Sequence, residues 1–284
     1  MAGSPQVTSS LPLRFRMLDD KAWLKLLTQS IRKPRIHDVD FPGFPSPELQ
    51  AEFVGSANEA TLKEAFGFYV LVKQQARAIG APLRPGSRFL DFGCGWGRFL
   101  RFFWKDVDVE NLYGCDVNEL IVDACRALNV PGQIDLIEPL GSLPYSDEFF
   151  DGMMAYSVFT HLPELVHLHW MRELARVARR GSTFCFTVEP RRFIDFIGTV
   201  PANSSVDWYR RLSSFKPRIP EFLRSFDSGQ LVFMPTNEGV EATYGDAVVP
   251  LSFIQEHWSP FFRVVSYIDD PRRFWQAVVV VERV

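Results

Sequence analysis

The sequence lacks several features that would quickly assign it to a class of protein. No apolar run approaches the length of a membrane span, and no apolar core follows a basic start at the N-terminus. Neither a transmembrane segment nor a secretory signal is therefore expected. Neither sign of charge is in large excess, since 31 basic and 34 acidic residues give a net charge of −3 over 284 residues. This balance argues against a general attraction to nucleic acid or to an anionic membrane.

Cysteine and histidine are scarce, and neither is arranged for a disulfide framework or a metal. The four cysteines all fall in segments typical of core strand, helix or tight loop: Cys94, Cys115, Cys125 and Cys185. None forms a C-x-x-C pair, which favours reduced thiols and a cytoplasmic protein. His161, His167 and His169 are close in sequence, but their spacing does not place two ligands one turn apart on a helix. No metal is expected.

The middle of the chain alternates strand and helix patterns. Short apolar runs predict strands at residues 88–92, 111–115, 133–137, 150–156 and 182–188. Helical periodicity lies between them, at residues 97–104, 119–128 and 163–178. This alternation predicts an α/β fold with a parallel sheet and helices on both faces. Residues 263–268 and 274–282 add two strands joined by a link of hairpin length.

Two regions depart from this alternation. Residues 17–31 and 58–79 predict helices, and the proline-rich stretch FPGFPSPEL between them predicts an extended connector. Residues 199–250 show no clear periodicity but many aromatic residues, with GQLVF and EATYGDAVV predicted as strands of a small hairpin. A region of this length without regular structure usually serves as a lid or a binding element.

A glycine-rich loop follows the first predicted strand of the sheet, in the stretch FLDFGCGWGRFL. Gly93, Gly95 and Gly97 stand at every second position after Asp91. A bare turn needs one or two glycines, so three suggest that a ligand approaches the backbone closely. The spacing does not fit the dinucleotide fingerprint G-x-G-x-x-G, and no P-loop lysine follows.

Other unusual residues follow the later strands of the same predicted sheet. In an open parallel α/β sheet, ligands bind at the carboxyl ends of the strands. Each predicted strand is followed by a loop that we expect at that edge, and these loops are residues 93–97, 116–118, 138–142, 156–161 and 189–192. We therefore expect the binding site to be built from these loops.

The pattern D-x-G-x-G-x-G resembles the first motif of the class I S-adenosylmethionine-dependent methyltransferases. The likeness extends over residues 89–190, where FFDGMMAYSVFTHLPE resembles the fourth motif and LARVARRGSTFCFTVEP the helix, basic turn and fifth strand. SVFTHL in particular resembles bacterial small-molecule and glycan-linked members. The resemblance implies a Rossmann-like, seven-stranded sheet that is mostly parallel, with one antiparallel strand and helices on both faces.

The same resemblance implies S-adenosylmethionine as the cofactor. The residues that it places at the cofactor are Asp91, Gly93, Cys94, Gly95, Gly97, Asp116, Val117, Leu140 and Tyr156. Asp116 matches the family's acid that accepts hydrogen bonds from both ribose hydroxyls, although it could instead cap the following turn. Many relatives carry an aspartate for the adenine amine where this chain has IEPLGSLP, so backbone near Leu140 and the side chain of Glu138 are the alternatives here.

Two residues after the later strands are candidate bases for the acceptor. His161 can take a proton, or it can have a structural role before the helix that Pro163 opens. Glu189 can be a base, a substrate ligand or an ion-pair partner of Arg191 or Arg192. Contacts with the acceptor are expected from Arg191, Trp208 and Tyr244.

The resemblance implies a methyltransferase domain over residues 81–284, with residues 199–250 as a lid over the acceptor and residues 1–80 as a helical and extended segment covering the cofactor. The expected reaction is methyl transfer to a small-molecule or glycan-like acceptor, with O-methylation favoured. A non-catalytic cofactor-binding protein is one alternative. A nucleic-acid methyltransferase is another, which AYSVFTH disfavours because enzymes acting on base amines resemble [DN]-P-P-[YF] there.

Overall fold

The structure is a computed structural model that describes residues 11–236 and 243–284. The helices are α1 Leu13–Arg16, α2 Asp20–Ser30, α3 Pro47–Val54, α4 Asn58–Ala78, α5 Leu100–Phe103, α6 Glu119–Ala127, α7 Glu164–Val177, α8 Arg192–Thr199, α9 Asp207–Ser214, α10 Ile219–Asp227 and α11 Leu251–Trp258. The strands are β1 Arg35–Ile36, β2 Val39–Asp40, β3 Phe89–Phe92, β4 Leu112–Asp116, β5 Gln133–Leu136, β6 Phe150–Ala155, β7 Ala178–Val188, β8 Val232–Pro235, β9 Gly245–Val248, β10 Phe262–Ile268 and β11 Ala277–Arg283. No helix in the described parts of the chain is long and apolar enough to cross a membrane.

The main sheet has seven strands in the order β10-β11-β7-β6-β3-β4-β5. Strand β3 pairs in parallel with β4 and β6, β4 pairs in parallel with β5, and β10 pairs with β11 antiparallel. The predicted Rossmann-like fold is confirmed. Each residue of β3 is buried, as expected of a central parallel strand covered on both faces.

Contacts divide the chain into two compact units, which are described separately below. Unit 1 is Met1–Met154 with Val177–Thr183, and unit 2 is Ala155–Arg176 with Phe184–Val284. The predicted boundary at residue 80 and the roles of residues 1–80 and 199–250 as covering segments stay predictions.

Unit 1 contains a largely buried cluster of four charged side chains and one tyrosine that we call the lysine–aspartate network: Asp20, Tyr69, Lys73, Lys105 and Asp106. The Lys73 ammonium lies 2.9 Å from Asp106 Oδ1, and the Lys105 ammonium lies 3.2 Å from Asp20 Oδ1 and 3.1 Å from Asp106 Oδ1. The Tyr69 hydroxyl donates to Asp20 at 3.0 Å. Two cations and two anions balance, so the network joins α2, α4 and the residues after α5 without leaving a net buried charge.

The proline-rich connector was wrongly predicted in its second half, because FPGFPSPEL runs into α3. Ser46 accepts a hydrogen bond from Leu49 N at 3.3 Å, Pro47 opens the helix, and Gly55 ends it with a φ of 72°. These are the usual start and stop signals of a helix. The helix predicted at residues 97–104 is also shorter, because Gly97 has a left-handed φ of 75° and α5 begins only at Leu100.

Unit 2 corrects the expectation that residues 199–250 lack regular structure apart from a hairpin. Helices α9 and α10 lie in that range, and α8 ends at its start. They pack around a hydrophobic cluster that includes Ile197, Leu212 and Phe222. The predicted hairpin is confirmed, since β8 pairs antiparallel with β9. Residues 241 and 242 of the predicted strand EATYGDAVV lie outside the described residues.

Candidate active site

The glycine loop of unit 1 is tied to the neighbouring strand β4. The amides of Gly93 and Cys94 donate to the Cys115 carbonyl at 2.9 and 3.0 Å. The Gly95 amide donates to Asp116 Oδ2 at 2.9 Å, and Asp116 Oδ1 accepts from the Asn118 amide at 3.0 Å. The carboxylate at the end of β4 therefore holds the loop after β3 in place.

The glycines of this loop are required for different reasons. Gly95 has a φ of +50°, and a Cβ built there meets no atom within 4 Å, so the space beside it is open to a ligand. Gly97 has a φ of +75°, and a Cβ there would lie 2.3 Å from Val130 Cγ1. The prediction of close ligand approach therefore finds open space at Gly95, whereas Gly97 is needed for packing.

Asp91 is a buried acid with unmet hydrogen-bonding capacity. Its side chain is 1% exposed, and neither oxygen has a hydrogen-bond partner within residues 11–236 and 243–284. Burial raises the pKa of Asp91 to about 8, the Asp116 carboxylate adds to this rise, and the Arg98 guanidinium opposes it. A buried carboxyl without a partner is costly unless a ligand satisfies it. The cationic amino group of an amino-acid ligand fits this requirement.

Asp116 holds the loop and keeps acceptor capacity beyond it. Burial raises its pKa, and the backbone amides of Asn118 and Gly95 oppose that rise. Each carboxylate oxygen has more than one lone pair, so these amides leave acceptor capacity for other donors. The ribose role of Asp116 stays a prediction. Val117 and Leu140, also predicted to contact the cofactor, are 52% and 45% exposed, and both assignments stay predictions.

Two thiols lie against the same loop. Cys94 Sγ lies 3.5 Å from the Gly95 carbonyl oxygen, and Cys125 Sγ lies 3.2 Å from it. The hydrogen bond with Cys125 and burial raise the pKa of Cys94. Cys94 was predicted to contact the cofactor. Its thiol packs beneath the loop, and its role at the cofactor stays a prediction.

Unit 2 contains the predicted base His161 in a defined orientation. The Nδ1 of His161 lies 2.7 Å from the Gly245 carbonyl oxygen, which can only accept, so Nδ1 carries the proton. The Nε2 lone pair then faces Ser157 Oγ at 3.5 Å. Burial lowers the pKa of His161, although the Asp246 charge and the Gly245 bond oppose this. The neutral ring, stacked on Tyr244 at 4.8 Å, is therefore an acceptor for a proton.

Asp246 anchors helix α9 beside His161. Its carboxylate is buried, lies 3.9 Å from His161 Nδ1 and accepts from Trp208 Nε1 at 3.3 Å. Arg211 Nη2 donates to it at 2.5 Å. Trp208 was predicted to contact the acceptor, and its indole N–H is committed to Asp246. This anchor was missed from sequence because Trp208 and Arg211 belong to a helix that was not predicted.

Glu189, the second predicted base, is connected to His161 by two residues that sequence reasoning missed. Gln276 Nε2 donates to Ser157 Oγ at 2.9 Å and lies 3.3 Å from Glu189 Oε1. Ser157 in turn faces His161 and has a strained left-handed φ of 60°. Burial raises the pKa of Glu189 to about 8, against the Gln276 bond. Ser157 stood within the quoted SVFTHL, whereas nothing near Gln276 in sequence marks it.

Two further predicted residues are placed without a demonstrated role. Arg191, predicted for the acceptor, forms a fork with Asp227 at 3.0 and 3.3 Å on the exposed surface. Tyr156, predicted for the cofactor, is half-buried directly after β6. Both assignments stay predictions.

Comparison with known proteins bears on the segment that contains the glycine loop. Residues 90–186 match the family model described as a methyltransferase domain. The chain carries a methyltransferase domain over these residues. S-adenosylmethionine is the cofactor of this domain, and the unpartnered carboxyl of Asp91 and the open space at Gly95 fit it.

The relatives of this domain have different acceptors. Rice cycloartenol-C-24-methyltransferase 1 is 31% identical over 116 residues, covering 39% of this chain and 32% of the relative. The tRNA (carboxymethyluridine(34)-5-O)-methyltransferase of Arabidopsis thaliana is 28% identical over 144 residues, covering 50% and 34%. The chain thus spans about a third of the length of these curated relatives.

A solved structure shows the same fold. The S-adenosylmethionine-dependent methyltransferase from Clostridium acetobutylicum superposes with a TM-score of 0.52 at 10% identity, covering 76% of this chain and 90% of that one. The finer likeness to bacterial small-molecule and glycan-linked members stays a prediction.

Proposed function

We propose that the chain transfers a methyl group from S-adenosylmethionine to a hydroxyl of a small-molecule or glycan-like acceptor. The observation that carries this proposal is the orientation of His161. Its proton is held on Nδ1 by the Gly245 carbonyl, which leaves the Nε2 lone pair available. A hydroxyl acceptor needs its proton removed, and a neutral imidazole is suited to that task near pH 7.

Unit 1 would hold the cofactor through its glycine loop and its two acids. Asp91 would receive the amino group of the methionine portion, and Asp116 the ribose hydroxyls. When bound, the cofactor supplies an electrophilic methyl group on a sulfonium, open to in-line displacement by the acceptor atom. Positioning supplies much of the rate of such a reaction, so the fixed loop geometry matters as much as any single side chain.

In unit 2, the residues around His161 would keep its ring in the productive orientation. Gly245 sets the tautomer, and the Asp246 carboxylate at 3.9 Å favours the imidazolium that forms on proton uptake. Ser157 Oγ accepts from Gln276 and lies 3.5 Å from Nε2, so an acceptor hydroxyl would replace this long contact at the Nε2 lone pair. Glu189, with its raised pKa, would serve as a hydrogen-bonding group near neutral pH.

A tRNA acceptor is a second candidate, because the Arabidopsis thaliana relative acts on a tRNA by its name and shares half of this chain. The net charge of −3 speaks against it, since nucleic-acid binding draws most of its affinity from basic side chains. Sterol C-methylation, suggested by the name of the rice relative, would not need a base to deprotonate a hydroxyl. A non-catalytic cofactor-binding protein is the remaining alternative.

The test is formation of S-adenosylhomocysteine with a panel of small hydroxyl compounds, oligosaccharides, tRNA and sterols. With the best acceptor, His161→Ala should lower kcat by about a hundredfold or more, the usual contribution of general base catalysis, with cofactor affinity unchanged. His169→Ala, on helix α7, is the matched control and should keep the full rate. If His161→Ala keeps the full rate, His161 is not the base. Turnover only with tRNA or sterol would contradict the proposed class of acceptor.

Glu189→Gln separates the two predicted bases in the same assay. Because glutamine keeps a hydrogen-bonding group beside Gln276, we expect a smaller loss of kcat than in His161→Ala. A larger loss in Glu189→Gln would transfer the role of base to Glu189.

A further inference from the structure

Unit 2 carries four partly exposed aromatic side chains that we call the aromatic surface: Phe196, Trp208, Tyr209 and Trp275. The rings of Phe196 and Trp275 meet edge to face, with their centroids 5.0 Å apart. The Phe196 ring lies 6.0 Å from the Trp208 ring and 6.2 Å from the Tyr209 ring. The rings of Trp208 and Tyr209 lie 5.2 Å apart. The four side chains therefore form one continuous surface.

The inner side of the aromatic surface packs on the core of unit 2. Phe196, Trp208 and Tyr209 are half-buried against the hydrophobic cluster that includes Ile197 and Leu212. Trp275 lies at the outer end of the surface and is 52% exposed. A contiguous apolar patch that is exposed above a packed core is typical of a binding site.

The backbone of Trp275 is held in place although its indole is exposed. Arg192, at the start of α8, donates through Nη2 to the Phe274 carbonyl at 3.2 Å and also to the Trp275 carbonyl. Phe196 follows Arg192 by four residues in the same helix, so both side chains lie on one face of α8. The anchored backbone and the edge contact with Phe196 reduce the freedom that the indole would lose on binding a ligand.

The other end of the aromatic surface lies beside His161. Trp208 Nε1 donates to the Asp246 carboxylate at 3.3 Å, and Asp246 Oδ1 lies 3.9 Å from His161 Nδ1. The His161 side chain is itself 25% exposed. A single carboxylate therefore separates the proposed base from the first ring of the surface.

A second route of contact joins His161 to Trp275. Gln276, the residue after Trp275, donates to Ser157 Oγ at 2.9 Å. Ser157 Oγ in turn lies 3.5 Å from His161 Nε2. The aromatic surface is thus continuous with the proposed site of methyl transfer through two independent sets of contacts.

The side chains next to the aromatic surface are polar. Asp195 precedes Phe196 and Asp207 precedes Trp208, and both carboxylates are exposed. The face of an aromatic ring carries partial negative charge, which attracts polarised C–H groups. A sugar ring matches both features, because it presents C–H groups on its face and hydroxyls at its edge. A sterol would match the rings but would leave the carboxylates facing apolar carbon.

We propose that the aromatic surface binds a sugar ring of the acceptor that is not itself methylated, with Trp275 stacked on its C–H face. This inference rests on the proposed function, since it assumes that the reactive hydroxyl lies at His161. Because Ser157 and Gln276 separate Trp275 from His161, the stacked ring is a neighbour of the methylated ring. Trp275 therefore determines specificity without contacting the reacting atoms, and it favours acceptors with at least two sugar rings.

Steady-state methylation of cellobiose, maltose and lactose tests this inference, with glucose and galactose as single-ring controls. Trp275→Ala should raise KM for a disaccharide acceptor about tenfold and leave kcat unchanged, because the lost stacking contact is the same in the ground and transition states. KM for the single rings should not change. Trp275→Phe should recover most of the affinity. Leu165→Ala, which removes an exposed apolar side chain of α7, should behave as the unsubstituted protein.

Calorimetry with S-adenosylhomocysteine, which has no methyl group to transfer, separates sugar binding from the reaction. The full chain should bind a disaccharide, and Trp275→Ala should raise its Kd about tenfold. Binding that depends on Trp275 without any methylation would support the sugar site and contradict the proposed function. Absence of binding by all three disaccharides, or equal Kd and KM values in Trp275→Ala, would overturn the sugar site. A dependence on Trp275 for sterols alone would also overturn it.

Discussion

Unit 1 buries charge in two contrasting ways. In the lysine–aspartate network, each of Lys73 and Lys105 lies within reach of both Asp20 and Asp106, and the charges cancel. Asp91 is buried more deeply than either aspartate of the network, but it has neither an ion pair at contact distance nor a hydrogen bond among the described residues. The charges of the network are paired within the folded chain, whereas the Asp91 carboxyl needs a ligand as its partner.

This difference separates structural from functional burial. A balanced network joins elements distant in sequence, and breaking it should harm the fold. An unsatisfied acid weakens the fold, and it is tolerated where a ligand repays the cost. The two glycines differ in a similar way. Val130 occupies the space where a Cβ of Gly97 would lie, whereas the space beside Gly95 is open.

Breaking the network should produce the largest change. Lys73→Met leaves Asp20 and Asp106 short of one cation, so the free energy of unfolding should fall by about 3–5 kcal/mol, as for other broken buried pairs. Lys63→Met on the same helix is the control, because Lys63 pairs with Glu59 on the exposed surface and should cost at most about 0.5 kcal/mol. Urea unfolding measures both, and equal losses would mean that the network is not structural.

Next in size is the pH dependence of unfolding that Glu189 adds in unit 2. Its pKa rises from an ordinary 4.5 to about 8, so the folded state keeps a proton that the unfolded state releases between these values. Its contribution to stability therefore falls as the pH rises from 4.5 to about 8, by up to a few kcal/mol at about 1.4 kcal/mol per pKa unit. Glu189→Gln should flatten this slope in urea unfolding, and an unchanged slope would contradict the raised pKa.

Asp91→Asn should change stability and binding in opposite directions. Removal of the buried acid should leave unfolding at pH 8 unchanged or raise its free energy, whereas S-adenosylmethionine affinity should fall about 10- to 100-fold with the loss of a charge-assisted bond. Calorimetry and urea unfolding provide the two measurements. Asp123→Asn, an exposed carboxylate on α6, is the control and should alter neither. A destabilised Asp91→Asn protein with normal affinity would make Asp91 structural.

The glycines should give the most specific difference, because one substitution affects packing and the other affects ligand binding. Gly97→Ala should destabilise by about 1–3 kcal/mol through overpacking against Val130, and Val130→Ala should recover part of that loss. Gly95→Val meets no atom but strains a left-handed φ, so it should cost about 1–2 kcal/mol, leave the domain folded and abolish cofactor binding. Unfolding of Gly95→Val would show that this glycine serves backbone conformation rather than ligand approach.

The parts of the fold that follow from local pattern were predicted from the sequence. The central strands are continuous apolar runs. The motif D-x-G-x-G-x-G is followed by a strand that ends at Asp116, and this order predicted that the glycine loop lies next to Asp116. The carboxylate of Asp116 does hold the loop through the Gly95 amide. Helix α3 carried readable signals in Ser46, Pro47 and Gly55, but the surrounding prolines obscured them.

The parts that depend on distant residues could not be predicted. Gln276 meets Ser157 across 119 positions, and Lys73 meets Asp20 across 53, so no local pattern marks either pair. Helices α9 and α10 were missed although both are amphipathic, because each spans only eight or nine residues and Pro217 and Pro220 lie where one ends and the other begins.

The two thiols beneath the glycine loop can report how often this loop opens. Because Cys94 and Cys125 are buried against the Gly95 carbonyl, a water-soluble alkylating reagent can reach them only when the loop opens. The rate of their modification would thus report the frequency of that opening, residue by residue, without any added label. A ligand bound at the loop should lower the alkylation rate of both cysteines in proportion to its occupancy. Mass spectrometry of the two cysteines would therefore measure ligand binding without any substitution in the protein.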